Sequence, residues 1–365
     1  HPMGPIADRP DQLTPAWLTD ALRTAGHLQV DSRVATVDMQ PIGTGQMCDS
    51  MRVRVAFDGE TDLPDTFVAK FPSTDASSVA AGKLMRAYEK EVRFYQHLAH
   101  SLPVNSPAMY LADIDVDSGS FVLLLEDRSP AVQGDQIAGT TPEVARLAVA
   151  ELVQLHAPRW GDDSLESFDW MARATRDQRD LLSSMLPTLW QEFLARYGGA
   201  VEAHLRRAGG FFVEHIANYL DADVIGTGIT HSDYRLDNLL FAPGVFAGTT
   251  EGRPTVVDWQ TVAYGCAPYD VSYFLGSSVE PPIRREIEWE LLAEYHRGLV
   301  ANGVQDYSQA SLEADYRRGT WAGMLIGIVA AVMVERTERG DTMFLTMLDR
   351  HARHALDLDA DETIR

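Results

Sequence analysis

The chain has 365 residues, 45% of them apolar, enough for two domains or two lobes and a sizeable core. Thirty-one Lys and Arg against 53 Asp and Glu leave a net charge of −22, without the basic footprint that nucleic acid or an anionic membrane surface requires. The two cysteines, Cys48 and Cys266, lie far apart, so we expect neither a disulfide framework nor a cysteine metal site, and a reducing cytoplasm fits.

No signal peptide is visible, and His1 and Pro2 read as a remnant before a native Met3. Further along, MRVRVAFDG alternates Val53, Val55 and Phe57 with Arg52, Arg54 and Ala56, which predicts a half-buried strand ending at an Asp-Gly turn. DTFVAKFP predicts a short strand stopped by Pro72. AGKLMRAYEKEVRFYQHLAHSL predicts one helix over residues 81–102, and AMYLADIDVDSGSFVLLLED predicts two strands joined by a Ser-Gly turn. Strand, strand, helix, strand, strand is the order of a small sheet with one helix packed on it.

The texture changes after Asp127. DRSPAVQGD is polar and punctuated by Pro and Gly, and most of the chain beyond it is helical in pattern. The run WAGMLIGIVAAVMV is fourteen residues long, short of the ~20 that span a bilayer, and predicts a buried helix. Two short β-rich stretches interrupt the helices, ITHSDYRLDNLLF and PTVVDWQTVAYG. The fold class expected is α+β. A β-rich N-terminal lobe spans residues 1–127, and a larger helical lobe spans residues 128–365.

Three charged residues stand where apolar ones would be expected. Lys70 alternates with Phe67, Ala69 and Phe71, so it either faces solvent from an edge strand or points beneath the sheet toward phosphate oxygens. Glu91 lies in the stripe Leu84, Tyr88, Glu91, Tyr95, Leu98, where burying a carboxylate is costly unless it is paired. Lys70 is its natural partner; otherwise Val92 takes the inward place. Asp258 follows two β-branched residues at a strand exit, where an aspartate either forms a turn or displays a metal ligand.

His231-x-Asp233-x-x-x-x-Asn238, then an apolar strand and Asp258, has the order and spacing of a kinase catalytic loop and its metal-binding aspartate. Phosphoryl transfer needs an aspartate to receive the alcohol proton, an Asn and an Asp to hold Mg²⁺ on the phosphates, and cations to offset moving charge. Each of these types occurs once, in order.

With GTGQMCDS, FVAKFP, YEKEVRFYQHL, FVLLLEDR, ITHSDYRLDNLLF, VVDWQ and CAPYDVSYFL, the chain resembles the aminoglycoside phosphotransferase and choline kinase superfamily over most of its length. Within it, the resemblance is nearest to ecdysteroid-kinase-like and bacterial small-molecule kinases. The resemblance implies a protein-kinase-like bilobal fold, ATP with GTP left open, Mg²⁺, and transfer to the hydroxyl of a small molecule. It implies Asp233 as catalytic base, Asn238 and Asp258 as metal ligands, and Lys70 on the α- and β-phosphates, held by Glu91. Glu126, Asp127 and Arg128 would form a hinge whose backbone meets the nucleobase. His231 would be a brace, and Asp270 would tie down the loop backbone.

Two departures stand out. The phosphate loop keeps Gly43 and Gly45 but lacks the third glycine of a G-x-G-x-x-G. Arg235 stands two residues after Asp233, where it would reach the γ-phosphate, pair with Asp233 or Asp237, or face solvent. A nucleotide-binding pseudokinase without turnover is the alternative to a small-molecule kinase, and a protein kinase ranks last because Trp259 replaces the Phe of D-F-G and no A-P-E follows. Trp160, Trp170, Trp190, Phe211, Phe212 and Tyr219 either line an apolar acceptor pocket or belong to the core.

Overall fold

The computed structural model describes residues 4–43, 47–248 and 252–365. They form two compact units: His1–Ser101, Ser106–Ser129 and Asp258–Thr261 in the first, and Leu102–Asn105, Pro130–Val257 and Val262–Arg365 in the second. Neither unit is one uninterrupted stretch. The short segment carrying Asp258 packs with the first.

The first unit is built on a five-stranded antiparallel sheet. Its strands are β1 (Arg33–Pro41), β2 (Cys48–Asp58), β3 (Thr66–Pro72), β4 (Met109–Asp115) and β5 (Ser120–Glu126), ordered β1-β2-β3-β5-β4. The alternation legible in β3 divides its two faces. Phe67, Ala69 and Phe71 are buried in one cluster with Val53, Val55, Leu111, Val122 and Leu124 and with Leu18 and Leu22 of helix α1 (Pro15–Thr24). Lys70 is turned to the opposite face.

The single helix expected over residues 81–102 is two helices, α2 (Ala76–Leu84) and α3 (Ala87–His97). The chain breaks at Arg86, whose φ of 56° is left-handed. The reason is close crossing: a Cβ on Gly82 would lie 2.7 Å from the Tyr88 ring, so the two helices turn about that contact. Leu84 accordingly leaves the expected stripe and is exposed, while Tyr88, Glu91, Val92, Tyr95 and Leu98 are all buried. Strand β1 and helix α1 were not foreseen. A bulge between Val34 and Thr36 breaks the period-two pattern of β1.

The second unit is mainly helical. Its helices are α4 (Pro142–His156), α5 (Arg176–Tyr197), α6 (Ala203–Glu214), α7 (Ile216–Leu220), α8 (Tyr269–Ser278), α9 (Pro281–Ala301), α10 (Gln309–Met333) and α11 (Glu338–Asp357). Five short strands complete it: β6 (Val132–Gln133), β7 (Thr227–Thr230), β8 (Leu239–Phe241), β9 (Thr255–Val256) and β10 (Ala263–Cys266), with β7 paired to β10 and β8 between β6 and β9. Trp190 and Phe212 lie in the buried cluster under α5, α6, α10 and α11 and are core residues, and the partly buried Phe211 and Tyr219 pack against that cluster. The WAGMLIGIVAAVMV run is the second half of α10, and no helix among the described residues is long and apolar enough to cross a membrane.

Small residues set the spacing of α8, α10 and α11. A Cβ on Gly323 of α10 would overlap the His351 ring, and one on Gly276 of α8 would lie 2.7 Å from His351 Nδ1. The ring is thus trapped between two glycines and cannot swing aside. Gly323→Ala is therefore expected to cost about 1–3 kcal/mol, as overpacking does, even though alanine favours helix. Thermal unfolding checks this, with a rise in melting temperature as the contrary result.

Candidate active site

In the first unit, the sheet's second face receives α3. Lys70 Nζ donates to both Glu91 oxygens, at 2.6 and 2.8 Å, and only 2% of the Glu91 side chain is exposed. Burial alone would lower the Lys70 pKa, but interaction with Cys48 and with the Glu91 and Asp258 carboxylates holds it well above its ordinary value, so the ammonium stays charged. Asp258 adopts a left-handed φ of 63°, and Trp259 beside it stacks on Phe94 of α3 with ring centroids 3.9 Å apart. Gln260 Nε2 donates to Cys48 Sγ at 3.3 Å. One helix thus serves two purposes: Glu91 grips Lys70 and, a turn later, Phe94 seats the segment that displays Asp258.

Glu126, Asp127 and Arg128 close the unit. Glu126 accepts the Ala108 amide at 3.0 Å and pairs with Arg128, Asp127 pairs with Arg52 at 3.0 Å, and Arg128 donates to the Ser106 carbonyl at 3.2 Å. Gly43 has a φ of 74°, the left-handed region that favours glycine. Gly45 lies outside the described residues.

The second unit holds the other cluster. Between β7 and β8 the chain runs through His231, Ser232 and Asp233, then a short 3-10 turn at Leu236–Asn238. Asp270, in the first turn of α8, shapes this loop. Its carboxylate accepts the His231 amide at 2.8 Å, the Ser232 amide at 2.9 Å and His156 Nε2 at 2.8 Å. That grip sustains the left-handed φ of 68° at Ser232, an unfavourable conformation for a serine. His231 is fully buried, and its Nε2 bonds the Val257 carbonyl at 3.0 Å.

Asp233 is surrounded by donors. Arg235 Nε reaches its Oδ1 at 3.0 Å, the Tyr273 hydroxyl reaches Oδ1 at 2.6 Å, and Asn238 Nδ2 reaches Oδ2 at 3.0 Å. Asp233 still keeps 21% of its side chain exposed, while His231, Asp237 and Asn238 are buried. Arg235 takes the pairing alternative, bridging Asp233 to Asp237 at 3.0 Å to each. Asp237 also accepts from the Gln136 amide at 3.0 Å and from Arg339 at 3.4 Å.

Tyr273, His156 and Gln136 were not singled out in the sequence. The spacing of Asp270 and Tyr273, three apart on one helix, was the available signal for Tyr273, since it puts both side chains on one face.

The phosphotransferase enzyme family model matches residues 53–318, and the chain belongs to that family. The fold has relatives among solved structures. An aminoglycoside phosphotransferase candidate from Ralstonia eutropha JMP134 is similar with a TM-score of 0.53 at 15% identity, over 92% of this chain and 97% of that one. Choline kinase from Cryptosporidium parvum Iowa II is similar with a TM-score of 0.50 at 11% identity, over 89% and 91%. No curated protein matches the sequence. The fold is α+β and protein-kinase-like, with the antiparallel sheet in the first unit and the helices concentrated in the second.

The Lys70–Glu91 pair yields a stability test. Glu91→Ala strands a buried ammonium and should lower the unfolding free energy by roughly 3 kcal/mol. Lys70→Met/Glu91→Leu removes both charges and should recover most of that loss. Chemical denaturation of the two variants decides it, and equal losses would contradict the pairing.

Proposed function

We propose that this protein is a small-molecule kinase that transfers the γ-phosphoryl group of ATP to a hydroxyl group. One observation carries the reading: a partly exposed carboxylate, Asp233, stands in a loop of buried polar residues with donors fixing it from several directions. Such a group can receive an acceptor hydroxyl without itself moving.

The roles follow from the chemistry of each side chain. Asp233 accepts the hydrogen bond of the acceptor hydroxyl and orients its oxygen toward the γ-phosphorus. As the new P–O bond forms and the bond to the β-phosphate oxygen breaks, the hydroxyl proton passes to Asp233 and ADP leaves. Lys70, kept charged and aimed by Glu91, offsets negative charge on the α- and β-phosphates. Arg235 is occupied by Asp233 and Asp237, so its part is to fix the base and not to reach the γ-phosphate. His231 and Asp270 hold the loop backbone. The backbone of Glu126 to Arg128 offers the donors and acceptors for a nucleobase, and Gly43, at its left-handed φ, would stand at the edge of a phosphate-binding loop.

Asn238 and Asp258 offer one amide oxygen and one carboxylate, a hard oxygen set that suits Mg²⁺. Among the described residues no three His, Cys, Asp or Glu side chains converge to cage an ion. Mg²⁺ is commonly held by one or two protein side chains together with a nucleotide's own phosphates. Bound there, the ion would neutralise phosphate charge; the protein's share is to orient its two ligands.

The acceptor is a soluble hydroxylated metabolite or antibiotic-like molecule. With Cys48 and Cys266 both free and buried, we place the enzyme in the cytoplasm.

Asp233→Asn should reduce turnover by at least about a thousandfold, from loss of both the proton acceptor and the orienting charge, while Mg²⁺-ATP still binds. ADP release and titration calorimetry on the same preparation check this, and near-normal turnover would contradict the role of Asp233. Asp258→Ala should abolish the dependence of ATP affinity on Mg²⁺. Equal affinity with and without Mg²⁺ in the unaltered protein would remove the metal from the account.

A further inference from the structure

Asp233 receives one donor that the loop itself does not supply. The Tyr273 phenol comes from α8, three residues after Asp270, so one helix face grips the loop twice: Asp270 by its backbone and Tyr273 by the carboxylate of Asp233. The phenol is 2% exposed, and its hydrogen bond among the described residues is the 2.6 Å one to Oδ1. Burial and the facing Asp233 carboxylate hold its pKa well above the ordinary value, so it stays protonated and donates. Behind it lies the His351 ring, with centroids 5.4 Å apart. Burial pushes the His351 pKa down to about 3, and neither of its nitrogens has a hydrogen-bond partner among the described residues. The imidazole is therefore neutral, and the phenol gives its hydrogen bond to Asp233 and not to this ring.

The two oxygens of Asp233 are unequally loaded. Oδ1 accepts from both Tyr273 and Arg235, whereas Oδ2 accepts from Asn238. We propose that Tyr273 is a positioning residue for phosphoryl transfer, turning the Asp233 carboxylate so that the lightly loaded Oδ2 is the atom that receives the acceptor's proton. This rests on Asp233 being the base. The phenol is buried, and it acts through the carboxylate of Asp233. Its effect is to saturate Oδ1 with a second donor and fix the carboxylate plane, which an arginine on a flexible stem does less firmly.

The test compares the unaltered protein with Tyr273→Phe, Asp233→Asn and the double variant. Turnover is read as ADP release from Mg²⁺-ATP with a panel of amino alcohols, aminosugars and water as acceptors. Tyr273→Phe should lower kcat about tenfold, the size expected for losing a hydrogen bond to a charged group. Its KM for Mg²⁺-ATP should stay within about twofold, because the loss falls on the orientation of Asp233 and not on nucleotide binding. In the Asp233→Asn background the same change should have no further effect, since the two residues act as one unit. A Tyr273→Phe variant at full rate overturns the proposal. So does a loss that comes with a raised KM or a full additive effect in the Asp233→Asn background, each of which marks mere packing. Full turnover by Asp233→Asn, or none by the unaltered protein, overturns the underlying reading of Asp233 instead.

Discussion

A single buried carboxylate, Asp270, constrains the loop that carries Asp233. It is 1% exposed and accepts two successive loop amides and an imidazole. Loop backbone buried away from water must find partners, and a left-handed serine is retained only where its surroundings compensate for it. Asp270 does both. Because it opens α8, whatever fixes that helix also fixes the loop. Gly276 and Gly319 let α8 approach its neighbours closely, and His156, held in turn by Tyr295, braces the carboxylate from α4.

The first unit has a comparable device of different character. Lys70 and Glu91 gain attraction from a low-dielectric site but surrender hydration there, so the pair adds little net stability. What it provides is direction: a cation held at a defined place on the sheet. The Phe94–Trp259 stack adds a second constraint from the same helix, at the segment that carries Asp258. Both units therefore follow one logic, in which a helix reaches back to fix a polar group that a strand or loop alone would leave free. The net charge of −22 plays no part in this, since the groups that matter are paired locally.

What was legible in the sequence was local. Period-two alternation exposed β2 and turned Lys70 of β3 away from Phe67, Ala69 and Phe71, while a Ser-Gly turn and the apolar run FVLLL marked β4 and β5. The kinase-loop spacing marked His231, Asp233 and Asn238 because those residues are close together in the chain. Tyr273 was missed because its significance lies in a contact across 40 residues of sequence, and a tyrosine in an apolar helix reads as core. The α2–α3 break was missed because Met85 and Arg86 are ordinary helix formers, and only the Gly82–Tyr88 crossing forces the turn. Arg235 was left open between phosphate and carboxylate partners, a choice that depends on where Asp237 lies in space.

The central claim is that this chain moves a phosphoryl group from ATP to a small alcohol. The direct measurement incubates the protein with Mg²⁺-ATP and a cell extract divided by ultrafiltration into metabolite and protein fractions, and tracks phosphorus by ³¹P NMR. The account predicts a new phosphomonoester in the metabolite fraction, formed in step with ADP and absent when Asp233 is replaced by Asn. ADP with free phosphate and no phosphomonoester, or phosphate appearing only on the protein fraction, would contradict it.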